Sequence, residues 1–146
     1  MRYKKGNLSE AKLIGSRLIA VYIDARSPSP PTELIRDIIR RFPNENIYKQ
    51  KQRRIPGQVI LNPPLIYIVG QVIPREDSFE SPEQRIETFL ECLNHLTSLI
   101  GDNKIEIAID RGLCPELHGD NWEEYKSALT SIEEITSIEF LVYKDE

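Results

Sequence analysis

Short β-branched runs and amphipathic stretches take turns along this chain, and that alternation restricts the fold more than any other feature. "RLIAVYI" (17–23), "GQVIL" (57–61), "LIYIVGQ" (65–71), "KIEIAI" (104–109) and "IEFLVY" (138–143) are almost wholly apolar. Runs of this length and composition read as strands, and unbroken apolar runs read as strands covered on both faces. Between them lie stretches whose apolar residues recur every three or four positions. Leu34, Ile35, Ile38, Ile39 and Phe42 make one such face. Ile86, Phe89, Leu90, Leu93 and Leu96 make a second, and Tyr125, Ala128, Leu129 and Ile132 a third. Each predicts a helix with one buried side.

The ends of these helices are also written. Thr32 stands where an N-cap belongs, with Glu33 in the first turn. Ser81 followed by Pro82 is a cap with proline at the first helical position. Pro43 stops the first helix, and "GDN" (101–103) stops the second. The predicted order is β–α–β–β–α–β–α–β, with a further short strand near Arg2–Lys5. Such an order implies an α/β fold: a three-layer α/β/α sandwich around a mixed central sheet.

A chain of 146 residues suggests one domain, 1–146. Net charge is −4, which disfavours general nucleic-acid binding, since that normally leaves a basic footprint. Cys92 and Cys114 are the two cysteines; Cys92 falls on an apolar helix face as a buried thiol, and no disulfide framework is indicated. No run reaches the roughly 18 apolar residues that a membrane span needs. "MRYKKGNLSE" carries no apolar secretion segment, so the expected location is cytoplasmic. There is no catalytic triad, Walker loop or dinucleotide fingerprint, and no cofactor is called for.

Five places could carry chemistry. Asp24 follows the strand at 17–23, where open α/β folds place ligands; its plain reading is a loop cap. The loop after it, "DARSPSPP" (24–31), precedes a helix N-terminus, yet Pro28, Pro30 and Pro31 offer no N–H. The loop "GLCPELHGDNW" (112–122) follows another strand. Asp110, Glu116 and Asp120 make its surroundings acidic, and His118 could act as a general acid or base or stand exposed. Asp110, Glu116, His118 and Asp120 show no recognised metal-ligand spacing. "YKQKQRR" (48–54) could meet phosphates of RNA or a nucleotide, or be a solvated basic surface. Trp122 starts a helix and either packs under the loop or stacks on a base.

Taken in order, the segments resemble a macro domain, the fold that binds ADP-ribose and related nucleotides. "YKKGNLSEA" (3–11) resembles that family's opening strand and Gly-Asp-Leu/Ile motif. "RLIAVYID" (17–24) is similar to its Ile-Ala-His-x-Val-Asn strand. "IIRRFPNENIYKQKQ" (38–52) resembles a helix that ends in Phe-Pro and runs on to a tyrosine. "PGQVIL" (56–61) and "IYIVGQ" (66–71) resemble the central strands. "SPEQRIETFLECLNHL" (81–96) resembles the Arg-containing helix start of stand-alone members in bacteria, phages and viruses. "IAIDRGLCPELHGDNWEEYKSAL" (107–129) aligns without a gap to the second phosphate loop, with Gly112, Leu117, Gly119 and Trp122 in register.

The resemblance implies a ligand set of Asn7, Leu8, Asp24, Gly112, Leu113, Cys114, Glu116, Leu117 and Asn121. It also implies Asp24, Asp120 and His118 as the catalytic candidates if the domain hydrolyses. The departures sit at the ligand positions, both phosphate loops among them. Asn7 replaces the acid that holds the adenine amino group, though its carbonyl oxygen can still accept that bond. Asp24, or Ala25 in a shifted register, replaces the asparagine at the distal ribose. The first Gly-x-Gly loop has become the proline stretch. Gly-Cys-Gly has become Cys114-Pro115-Glu116, and Asn121 replaces a common aspartate. The expectation is a divergent, non-hydrolytic module for a nucleotide derivative or a protein partner, with weakened ADP-ribose diphosphate recognition. The alternatives are an active ADP-ribosyl hydrolase or a purely structural protein–protein module.

Overall fold

The computed structural model describes residues 1–50, 52–73, 80–113 and 121–144. Six strands form one sheet: β1 (Arg2–Lys5), β2 (Leu18–Asp24), β3 (Val59–Asn62), β4 (Leu65–Gln71), β5 (Ile105–Asp110) and β6 (Ile138–Lys144). Their spatial order is β1-β6-β5-β2-β4-β3. All neighbours run parallel except β3 and β4, which pair antiparallel as a hairpin. The central strands carry the longest apolar runs for this reason. Every residue of β4 is buried, because helices cover both of its faces.

Three helices provide the covers: α1 (Glu33–Arg41), α2 (Pro82–Ile100) and α3 (Trp122–Ile135). The Thr32 hydroxyl accepts from the Ile35 amide at 3.3 Å and starts α1. Ser81 and Gln84 form a reciprocal capping box at the start of α2, with Pro82 at its first position. Asn121 caps α3 through a 2.9 Å bond from the Glu123 amide.

The two layers are made of different material. Beneath α2 and α3 lie Phe89, Leu93, Leu96, Tyr125, Leu129 and Ile132, packed on the Ala20, Ile66, Ile68 and Phe140 side of the sheet. Phe89 and Tyr125 meet at 4.9 Å between ring centroids, a tilted aromatic pair. On the opposite face α1 is short, and 3-10 turns at Leu8–Glu10, Pro43–Glu45 and Ile47–Lys49 complete the layer. That side buries Leu8, Ile35, Ile38, Ile39 and Ile47 against Val21, Ile23 and Tyr67.

Two local expectations need correction. Leu90, expected on the apolar side of α2, is 44% exposed. The buried stripe runs through Arg85, Phe89, Cys92, Leu93 and Leu96 and is narrower than the 3–4 spacing suggested. Within the polar segment 46–56, Ile47 is fully buried. The hydroxyl of Tyr67 fixes it there: it accepts from the Ile47 amide at 3.3 Å and donates to the Glu45 carbonyl at 2.6 Å. A single apolar residue in a polar run has no periodicity to announce it. Cys92 is buried as expected, and burial pushes its thiol up to about 12. No helix among the described residues is long and apolar enough to cross a membrane.

Candidate functional site

Three neighbouring parallel strands end in polar residues: β2 in Asp24, β4 in Gln71 and β5 in Asp110. Strand ends of this kind in open α/β sheets form the ligand crevice. A cavity of about 340 Å³ opens there, lined by all three together with Leu8, Ile35 and Leu113 among others. Its walls are mainly apolar, as in most small-molecule sites, with a few polar groups set among them.

Asp24 is completely buried. Its Oδ2 accepts from the amides of Arg26 at 3.0 Å and Ser27 at 2.6 Å. The Ala25 amide is taken by the Gln71 and Val72 carbonyls at 3.0 and 3.1 Å. With prolines at 28, 30 and 31, few N–H groups of this loop remain for a bound anion. In a phosphate loop such amides converge on the ligand. Here the carboxylate of Asp24 occupies that role from inside the protein.

The loop is also held from outside. Arg54 donates to the Asp24 carbonyl at 3.3 Å and to the Ser27 carbonyl, and its guanidinium lies 4.9 Å from the centre of the Tyr48 ring. Burial, and then the charge of Asp24, pushes the Tyr48 phenol well above its ordinary range, while Arg54 opposes the shift.

β5 repeats the arrangement. The Oδ2 of Asp110 accepts from the Gly112 amide at 2.8 Å. A Cβ on Gly112 would stand 2.3 Å from that oxygen, so glycine is what allows the turn to close on the carboxylate. Arg111 then lies 5.3 Å above the ring of Trp122, which is buried at the start of α3.

Among the described residues, two acceptors in the crevice wall have no partner: Oδ1 of Asp24 and Oε1 of Gln71. Buried oxygens without a donor are uncommon and mark places where a ligand or water completes the bonding. Tyr22 also lines the crevice, and its hydroxyl donates to the Gly70 carbonyl at 3.0 Å. Its ring lies so close that a Cβ on Gly70 would come within 2.1 Å of it.

Of the residues proposed from sequence, Leu8, Asp24, Gly112 and Leu113 line the crevice. Asn7 and Asn121 do not; both serve as caps. The Oδ1 of Asn7 accepts from the Ser9 amide at 2.9 Å and the Ser9 hydroxyl at 2.6 Å. Cys114, Glu116, Leu117, His118 and Asp120 lie outside the described residues. Gln71 was absent from the proposed set, although it ends its strand just as Asp24 ends β2. Thr32, at the α1 cap, also reaches the crevice.

The sequence matches no family model and no curated protein. Solved structures are similar over nearly the whole chain. A macrodomain protein from Streptomyces coelicolor matches with a TM-score of 0.67 at 15% identity, covering 98% of this chain and 97% of that one. The macrodomain of Mycobacterium tuberculosis DarG matches at 0.68 and 12% identity, with 97% and 95% covered. The macrodomain of Thermus aquaticus DarG matches at 0.64 and 19% identity, with 98% and 97% covered. Identities this low speak for architecture alone, and on that ground this chain has the macrodomain fold.

Proposed function

We propose that the crevice binds a nucleotide derivative of low negative charge, without hydrolysing it, and that the diphosphate recognition implied by the family resemblance is weakened or lost. One observation carries this reading. The carboxylates that end β2 and β5 have turned onto the amides that follow them, so Arg26, Ser27 and Gly112 give their N–H groups to Asp24 and Asp110. A phosphate entering there would lose those donors and meet fixed negative charge. At about 4 Å, like charges repel by ~1 kcal/mol in water and ~4 kcal/mol at the effective dielectric of a protein surface. The larger figure corresponds to a factor of nearly a thousand in affinity.

The apolar walls and the two unpartnered oxygens of Asp24 and Gln71 suit a flat, largely uncharged group bearing N–H or O–H donors, such as a nucleoside. The same hydrogen bonds argue against catalysis by Asp24. Its Oδ2 is committed to two amides, and the remaining Oδ1 is the acceptor that the ligand itself would occupy, a poor station for activating water.

The substitution Asp24→Asn tests the reading, because it removes the charge while keeping an acceptor for both amides. It should strengthen binding of ADP-ribose by about tenfold or more. An unchanged or weaker affinity would count against the charge argument. With a mono-ADP-ribosylated protein as substrate, the wild-type chain should give no release of ADP-ribose. Turnover that vanishes in Asp24→Ala would establish the hydrolase alternative instead.

A further inference from the structure

A second depression backs onto the crevice, and its chemistry is opposite. It has a volume of about 590 Å³, and Arg26, Arg53 and Arg54 line it with Ala25, Ile55 and Val72. Crevice and groove share a wall. Asp24 and Ala25 are consecutive, as are Gln71 and Val72; the first of each pair lines the crevice and the second lines the groove. Arg54 spans that wall through its bond to the Asp24 carbonyl.

We propose that this groove receives the phosphoryl group of the ligand whose uncharged part fills the crevice. Three arginines converge on one concave surface in a chain of net charge −4. Among the described residues none of the three has a carboxylate partner. Arg26 and Arg53 are exposed, and their guanidinium groups make no hydrogen bond within the described protein. Arg54 is held by the Tyr48 ring and two carbonyls, which use two of the five N–H donors a guanidinium carries. It is therefore oriented in advance, with donors to spare, and planar forked donors suit phosphate oxygens. The arrangement puts negative charge on the inner side of the wall and positive charge on the outer side. A ligand that cannot place phosphate among Asp24 and Asp110 can place it here. A nucleic-acid strand fits less well: three arginines neutralise few phosphates, and the net charge opposes a polyanion.

The groove can be read without the rest of the ligand, so a failure here is separate from a failure of the crevice reading. Inorganic pyrophosphate is titrated into the isotopically labelled full chain and amide shifts are followed by NMR. Saturable shifts should appear at Ala25, Arg26, Arg53 and Val72, with Leu8, Ile35 and Leu113 still. Joint substitution Arg26→Ala and Arg53→Ala, at two exposed side chains with no hydrogen bond or ion pair to other described residues, should weaken binding at least tenfold. Lys49→Ala removes an exposed charge outside the groove and should leave affinity within twofold. The proposal is overturned by an absence of saturable shifts, or by equal losses in the Lys49 control. It is also overturned if a ten-nucleotide single strand binds more tightly than pyrophosphate with a salt dependence showing more than about three phosphates engaged.

Discussion

The two layers that cover this sheet bury apolar surface by different means. The α2 and α3 side uses helices of 19 and 14 residues and an aromatic cluster. The α1 side uses a helix of nine residues, three 3-10 turns and a proline loop, and it leaves a cavity of about 340 Å³ at the strand ends. Long helices with a continuous apolar stripe can tile a sheet from end to end. A short helix entered through Pro31 and stopped at Pro43 cannot, and the remainder becomes crevice. The crevice lies at the strand ends beside this thinner layer, and it also takes Ala20, Tyr22, Ile109 and Leu113 from the packed one.

The largest effects should separate the faces most clearly. Phe89→Ala, in the packed layer, should cost about 3–5 kcal/mol in denaturant unfolding. Leu34→Ala, at the half-buried crevice wall, should cost less than about 1 kcal/mol. Equal losses would dissolve the comparison. Next comes Gly70→Ala, where the added methyl meets the Tyr22 ring. Displacing that ring should destabilise by about 1–3 kcal/mol and alter the crevice together. A change in one without the other would show that Tyr22 does not link packing to site shape.

Thr32→Ala should cost about 1 kcal/mol and fray the start of α1, seen as faster amide exchange at Ile35, with α2 unaffected. The smallest effect concerns Cys92 in the packed layer. Its thiol is pushed up from 9.0 to about 12, mainly by burial. The buried neutral form favours folding fully below pH about 9, and this contribution is lost as pH rises toward 12. In a Cys114→Ser background the remaining thiol should therefore resist a disulfide reagent at pH 8 until the protein is unfolded. Rapid modification of the native chain would show that this layer opens.

Much of the fold could be read because strands and helices here follow their periods closely. Thr32, Ser81 and Pro43 act where their chemistry predicts. The site was legible in part. Asp24 is recognisable as a carboxylate at a strand end, yet its bonds to the Arg26 and Ser27 amides depend on the path of the loop, which no spacing rule gives. Gln71 carries no such signal, because an amide after an apolar run resembles an ordinary strand terminus. Arg54 looked like one charge in a basic stretch. Its role depends on carbonyls 27 and 30 residues away in sequence. Long-range pairings of this kind leave no local pattern.

The central claim is that carboxylates, rather than a phosphate, hold the loop amides of this crevice. Calorimetric titration of the Arg26→Ala/Arg53→Ala chain, in which the outer groove no longer competes for phosphate, with adenosine and with ADP-ribose tests it most directly. The account predicts that ADP-ribose binds no more tightly than adenosine, since its diphosphate gains no amides and meets Asp24 and Asp110. Micromolar binding of ADP-ribose, well above the affinity for adenosine, would contradict it.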